Sequence, residues 1–190
     1  QRLDAYRGMK VVNLPALKKR SLETLSHTTL SVFNKNMRGA DAAIIFNAAN
    51  SPLLPVIRAR RIPVATHVDG LEWRRTKWGR NGQRYYRCAE SIAVRYSDAL
   101  IADAQGIADY YRDEFNAATR LIAYGAPILT GAGSDRLVGV EPHRYHLVVA
   151  RMEPENHVLE IVKGYVASGA ERPLVVVGSA PYSDSYIASI

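Results

Sequence analysis

Residues 66–87 concentrate the side chains of this chain that can do chemistry: T-H-V-D-G-L-E-W-R-R-T-K-W-G-R-N-G-Q-R-Y-Y-R. An apolar run, Ile62 to Ala65, ends there in His67 and Asp69, with Glu72 three residues on, and six basic residues interleaved with four aromatics follow. Histidine and carboxylates at the end of a buried strand can hydrogen-bond a substrate or move a proton, and Arg74, Arg75 and Lys77 can meet phosphate charge. In open α/β sheets the ligand lies in the crevice at the carboxyl ends of the strands, which is where such a polar burst is expected. A solvated loop backed by an amphipathic helix is the competing reading of the same charge run.

A second polar turn repeats the arrangement. Arg151 follows an apolar run over residues 145–150 and precedes a helix expected to begin near His157. A guanidinium beside a helix amino terminus suits a diphosphate, because both favour an anion.

The elements that must place these groups alternate. Strands are expected over 9–14, 41–46, 63–67, 98–102 and 121–124, with helices over 21–39, 53–60, 80–96 and 106–115. Ser21 is the expected N-cap of the first helix, and Leu22, Leu25, Thr29, Val32, Phe33 and Asn36 share one of its faces. Asn47 and Asn50 fall at a strand's carboxyl end, where they can bind a sugar or form the turn; turn chemistry is the expected role of Asn50. The 80–96 helix is amphipathic, with Tyr85, Ala89, Ile92, Ala93 and Tyr96 on one face and a basic stripe of Arg80, Arg84, Arg87 and Arg95 on another. A Gly-rich polar stretch over 129–143 reads as a linker. A fresh strand, helix and strand then occupy 145–150, 157–168 and 173–177. The pattern is that of βαβ units, an α/β fold with parallel sheets in parts of two Rossmann-like domains. The first is expected over 1–128, the linker over 129–143, and the start of the second over 144–190.

Composition narrows the function. The 190-residue chain carries +7 formal charge and is 47% hydrophobic. The charge is lopsided: through Ile128 there are 20 Lys+Arg against 11 Asp+Glu, and beyond it 5 against 7. A basic first part implies an anionic partner such as phosphates, lipid headgroups or nucleic acid. The one cysteine, Cys88, excludes an intramolecular disulfide and a cysteine metal cluster, fits a reducing compartment, and is expected to be a partly buried, inert thiol at the edge of a helix's apolar face. No apolar run approaches a membrane span, no signal pattern opens the chain, and the sequence reads as soluble. G-x-G-x-x-G, G-x-x-x-x-G-K-[ST] and G-x-S-x-G are all absent, which removes the dinucleotide fingerprint, the P-loop and the serine-hydrolase elbow. No cofactor or metal is expected.

The segments L-P-A-L-K-K-R-S-L-E-T-L-S-H, F-N-A-A-N-S-P, H-V-D-G-L-E-W-R-R-T-K-W-G-R, A-D-A-Q-G-I, I-A-Y-G-A and A-R-M-E-P-E-N-H, in that order, resemble bacterial retaining glycosyltransferases of family 4, rhamnosyltransferase-like branch. The resemblance implies a GT-B fold and transfer of a sugar from a nucleoside diphosphate with retention. The donor would be dTDP-rhamnose, with UDP-sugars next, and the acceptor a polysaccharide or lipid-linked glycan. It places His67, Asp69 and Glu72 at the reaction centre. Arg151, Glu155 and Asn156 fall on the donor side, where many relatives carry lysine in place of Asn156. Lys18, Lys19, Arg20, Asn47, Arg74, Arg75 and Lys77 are the expected contacts to acceptor or anionic membrane, in a protein that is cytoplasmic or peripheral on the inner face. The resemblance also implies that the chain is an incomplete portion, lacking the family's first strand, Gly-rich loop and C-terminal acidic motif, and inactive alone. The alternative from a different class is a basic nucleic-acid-binding α/β module using the Arg and aromatic residues of 73–87.

Overall fold

The computed structural model describes residues 3–17, 22–75, 78–128, 130, 139–181 and 183–190. Two compact units divide the chain, Gln1–Gly125 and Ala126–Ile190. Of the expected linker, residues 129 and 131–138 lie outside the described residues, as do Ser21, Lys18, Lys19, Arg20 and Lys77.

The first unit opens with β1 (Ala5–Tyr6) and β2 (Met9–Lys10), an antiparallel two-residue pair. The strand expected over 9–14 is thus corrected. Arg7 and Gly8 both adopt positive φ, 48° and 81°, the turn that reverses a chain in two residues, so residues 9–10 fold back on 5–6 and do not enter the main sheet. Helix α1 (Glu23–Phe33) follows. Its packed stripe is narrower than the sequence suggests: Val32 is buried, whereas Leu22 and Phe33 are exposed. Phe33 instead lies under the Arg60 guanidinium, 5.4 Å from its ring centre. Asn34 turns extended, and its side chain accepts from Asn36 N–H to start a short 3₁₀ turn.

The main sheet is parallel, in the order β3 (Ala43–Phe46), β4 (Val64–Val68), β5 (Ala99–Ala102), β6 (Arg120–Leu121). Between the strands come a 3₁₀ turn Ala48–Leu53 with α2 (Leu54–Ala59), then α3 (Arg80–Tyr96), then α4 (Gln105–Phe115). The strand expected over 121–124 closes as only two residues, although Ile122 N–H still reaches Ala102 O at 2.8 Å. Sequential strand order with right-handed crossovers puts every connecting helix on one face. Accordingly Val64 and Val68 sit in the core with Val32, Leu54, Ile57, Ala93 and Tyr111, while Ile44 and Phe46 on the other face are 59% and 62% exposed.

Helix α3 has the bounds its periodicity predicts. Ala89 and Ala93 are buried. Cys88 is exposed, which corrects the expectation of a partly buried thiol: one residue from Ala89 is a rotation of about 100° away from the packed stripe.

The second unit pairs β7 (His146–Val149) in parallel with β8 (Leu174–Val177) across α5 (Val158–Ser168), and a short α6 (Asp184–Ile187) follows. Met152, Val158 and Ala180 form its core. Both units are α/β with parallel sheets, as Rossmann-like parts of a GT-B fold require. Among the described residues no helix is long and apolar enough to cross a membrane.

Asp98 ties the amino ends of the main sheet together. One oxygen accepts from Val64 N–H at 2.8 Å and the other pairs with Arg58 of α2. The Arg58 bond, then the Val64 N–H, holds this carboxyl below its ordinary value. A depressed folded pKa contributes stability that is present above the unfolded value of 3.8 and is lost as pH falls through the folded one. Thermal unfolding at stepped acidic pH should therefore show wild type losing stability over that range and Asp98→Ala, less stable at neutral pH, losing less.

Candidate functional site

The carboxyl end of β4 is built by strand pairing. His67 lies opposite Phe46 on β3 and Ile101 on β5, and its carbonyl accepts from Asn47 N–H at 3.1 Å. The imidazole is buried, 6% exposed, with the rings of Phe46 and Tyr124 at 5.4 and 5.8 Å. Both of those rings are largely open to solvent, so the histidine is held between two aromatic edges at the rim of the sheet.

Asp69 follows one residue after the strand. It is half-buried, and its Oδ1 makes no hydrogen bond among the described residues. Burial first, then the negative charge of Glu72, with Asp103 adding, pushes its carboxyl above the ordinary value, and His67 opposes the shift. Asp103 stands just past the carboxyl end of β5, so two adjacent strands each deliver a carboxylate here. Glu72 is more tightly engaged: Oε1 accepts from Arg75 at 2.5 Å and Oε2 from the Trp78 indole at 3.3 Å. It can orient its turn, Glu72–Arg74, as well as act on a substrate.

The flanking residues are also bound inward. Asn47 has φ 73°, and its side chain accepts from Ala49 N–H at 2.8 Å. Asn50 is buried and donates to Phe46 O at 2.9 Å, so both asparagines perform turn chemistry. Tyr85 from α3 donates to Ala49 O at 2.5 Å, and burial pushes its hydroxyl up to about 12. Arg75 is taken up by Glu72. Arg74 is exposed with its guanidinium 5.0 Å from the Trp73 ring centre. Among the described residues, no group of three or more His, Cys, Asp or Glu could hold a metal ion.

In the second unit Arg151 is exposed two residues after β7, 3.7 Å from the buried Glu153 carboxylate. A 3₁₀ turn, Pro154–Asn156, and His157 at φ 54° separate it from α5, which starts at Val158. Glu155 is half-buried in that turn. Asn156 donates its amide to Arg151 O at 2.8 Å and so shapes the loop. Leu159 N–H, in the first turn of α5, donates to the Tyr186 hydroxyl at 3.1 Å.

Residues 62–127 match a family model described as a domain of unknown function, DUF1972. No curated protein matches the chain. The matched stretch runs from the residues just before β4 into the loop after β6, and so includes His67, Asp69, Glu72 and Asp103.

Sequence reasoning missed two functional supports. Asp103 carried a signal, since it too ends a strand. Gly178 did not: it ends β8, and a β-carbon there would lie 1.8 Å from Ala150 O, so the glycine is what lets β8 pass the backbone that carries Arg151.

Two outcomes follow from this geometry. A carboxyl whose folded pKa is raised adds stability that is full below its unfolded value of 3.8 and is lost as pH rises through the folded one. Asp69→Asn should therefore be at least as stable as wild type at neutral pH, and stepped-pH thermal unfolding should show a flatter profile above 3.8. Gly178→Ala must displace the backbone around Ala150, and amide-proton spectra should show the largest shifts at Ala150–Met152, with reduced stability of the second unit.

Proposed function

We propose that this chain carries part of a retaining glycosyltransferase, moving a sugar, with dTDP-rhamnose the first donor to test and UDP-sugars next, to a polysaccharide or lipid-linked glycan. The observation that carries the reading is His67. It is a buried imidazole at the carboxyl end of the second strand of a parallel four-strand sheet, beside a carboxyl of raised pKa, inside a segment whose domain is found in glycosyltransferase-like proteins.

In this reading the first unit is the acceptor side and the second is the donor side. Cleavage of an activated sugar leaves negative charge on a nucleoside diphosphate. Arg151, exposed and only loosely engaged by Glu153, supplies a guanidinium to that charge, as preorganised cations do at developing anions. Glu155 and Asn156 set the loop that presents it. His67 and Asp69 are the first unit's groups for proton transfer and hydrogen bonding at the reaction centre, and Glu72 fixes the turn beside them. The basic side chains Lys18, Lys19 and Arg20, with Arg74 and the outer stripe of α3, are the contacts to the carrier diphosphate or to an anionic membrane surface at the cytoplasmic face.

Isothermal titration of the complete enzyme with nucleoside diphosphates tests the donor side. Arg151→Ala should weaken binding about 10- to 100-fold, the loss of one charge-assisted hydrogen bond. His67→Ala should leave nucleotide affinity unchanged and abolish transfer from the sugar nucleotide. Absence of binding by any nucleoside diphosphate would sink the assignment.

A further inference from the structure

Glu90 is a buried carboxylate, 3% exposed, for which the transfer chemistry above has no use. It projects from α3 toward α4, where its Oε2 accepts the Tyr110 hydroxyl at 2.8 Å. Burying a carboxylate is costly, and burial dominates here, raising its pKa against the opposing pull of Tyr110 and Arg87. A leucine or methionine would pack two helices at no such cost, so what the acid adds is its hydrogen bond.

That bond fixes a ring. Tyr110 lies 6.5 Å from Trp73, the centre of the turn that begins three residues after Asp69. The Trp73 Nε1–H is buried and makes no hydrogen bond of its own among the described residues, yet it is near enough to the Tyr110 oxygen to affect that hydroxyl, which burial and Glu90 together push up to about 12. The other sides of the indole are held by guanidiniums: Arg74 at 5.0 Å and Arg87 at 4.8 Å from the ring. Arg87 continues to Glu114 of α4 at 3.3 Å. The charged and titratable groups around Glu90 are thus Tyr110, Tyr111, Arg87, Arg74 and Glu114, and α3, α4 and the Glu72–Arg74 turn all meet at one tryptophan.

We propose that Glu90 is a positioning residue: by holding Tyr110 it fixes Trp73, and through Trp73 the backbone path from Asp69 to Arg75 that carries the transfer-site carboxylates. The importance for transfer rests on the function proposed above; the mechanical linkage does not.

The chain has two tryptophans, so Trp78→Phe leaves Trp73 as the sole emitter. In that background, with far-UV circular dichroism confirming the fold, Glu90→Leu and Tyr110→Phe should red-shift Trp73 emission and raise its acrylamide quenching several-fold. Glu90→Gln, which still accepts from the Tyr110 hydroxyl, should keep both near the parent. In the complete enzyme, with Trp78 restored, the first two variants should lower kcat for sugar transfer at unchanged donor KM, and Glu90→Gln should restore it. Identical emission and quenching in all the folded variants overturns the proposal. A Trp73 response of the expected pattern in this chain, with no turnover of any sugar nucleotide by the complete enzyme, supports the linkage and overturns the transferase reading instead. If Glu90→Leu does not fold, Tyr110→Phe against Glu90→Gln carries the same comparison.

Discussion

The pairing of β4 between β3 and β5 is the constraint on which the rest of this molecule depends. Parallel pairing in register makes the strands end together, so that Asn47, Asp69 and Asp103 leave the sheet at the same rim, beside His67. Nothing about His67 as a residue type would distinguish it from a core histidine. Its place opposite Phe46 and Ile101, with Asn47 N–H closing on its carbonyl, makes it a rim residue whose ring is buried and whose neighbours are open.

Charge in the first unit is managed in the same local way. The sequence shows a run of arginines and aromatics that suggests an exposed basic surface. In the fold these residues largely engage one another: Arg87 and Arg74 on Trp73, Arg75 on Glu72, Arg58 on Asp98, Arg60 on Phe33. Stacking a guanidinium on an aromatic face leaves its charge outward while covering apolar surface. The cluster is therefore a structural support with a charged exterior, and a net positive potential coexists with a mostly committed set of side chains.

Much of this was legible in the sequence, and the remainder was not for identifiable reasons. Period and punctuation gave α3 its bounds and placed the parallel strands, because long amphipathic helices and β-branched runs advertise themselves. The Met9 strand went astray because two residues of positive φ decide where it pairs, and an Arg-Gly pair announces that weakly. Phe33 and Cys88 went astray because a helix stripe can be read only to within about one residue's rotation. Asp69 and Glu72 stood out by type. Glu90 and Tyr110, beside the turn that carries them, did not, and neither did Gly178 beside Arg151, since each owes its role to a contact with another element: α3 with α4 in one case, the residue after β8 with the end of β7 in the other.

The one-way strand order has a consequence for how the chain comes into being. Each strand of the main sheet pairs with the one made just before it, across separations of about 20 to 35 residues. Contacts that close over short stretches of chain form quickly, and amino-terminal portions are the first to leave the ribosome. The sheet can thus be laid down in the order of translation, β3 first, each new βα unit docking on a finished edge. The two strand pairings that flank His67 can form before β6 and Tyr124, and well before the segment bearing Arg151, have been synthesised.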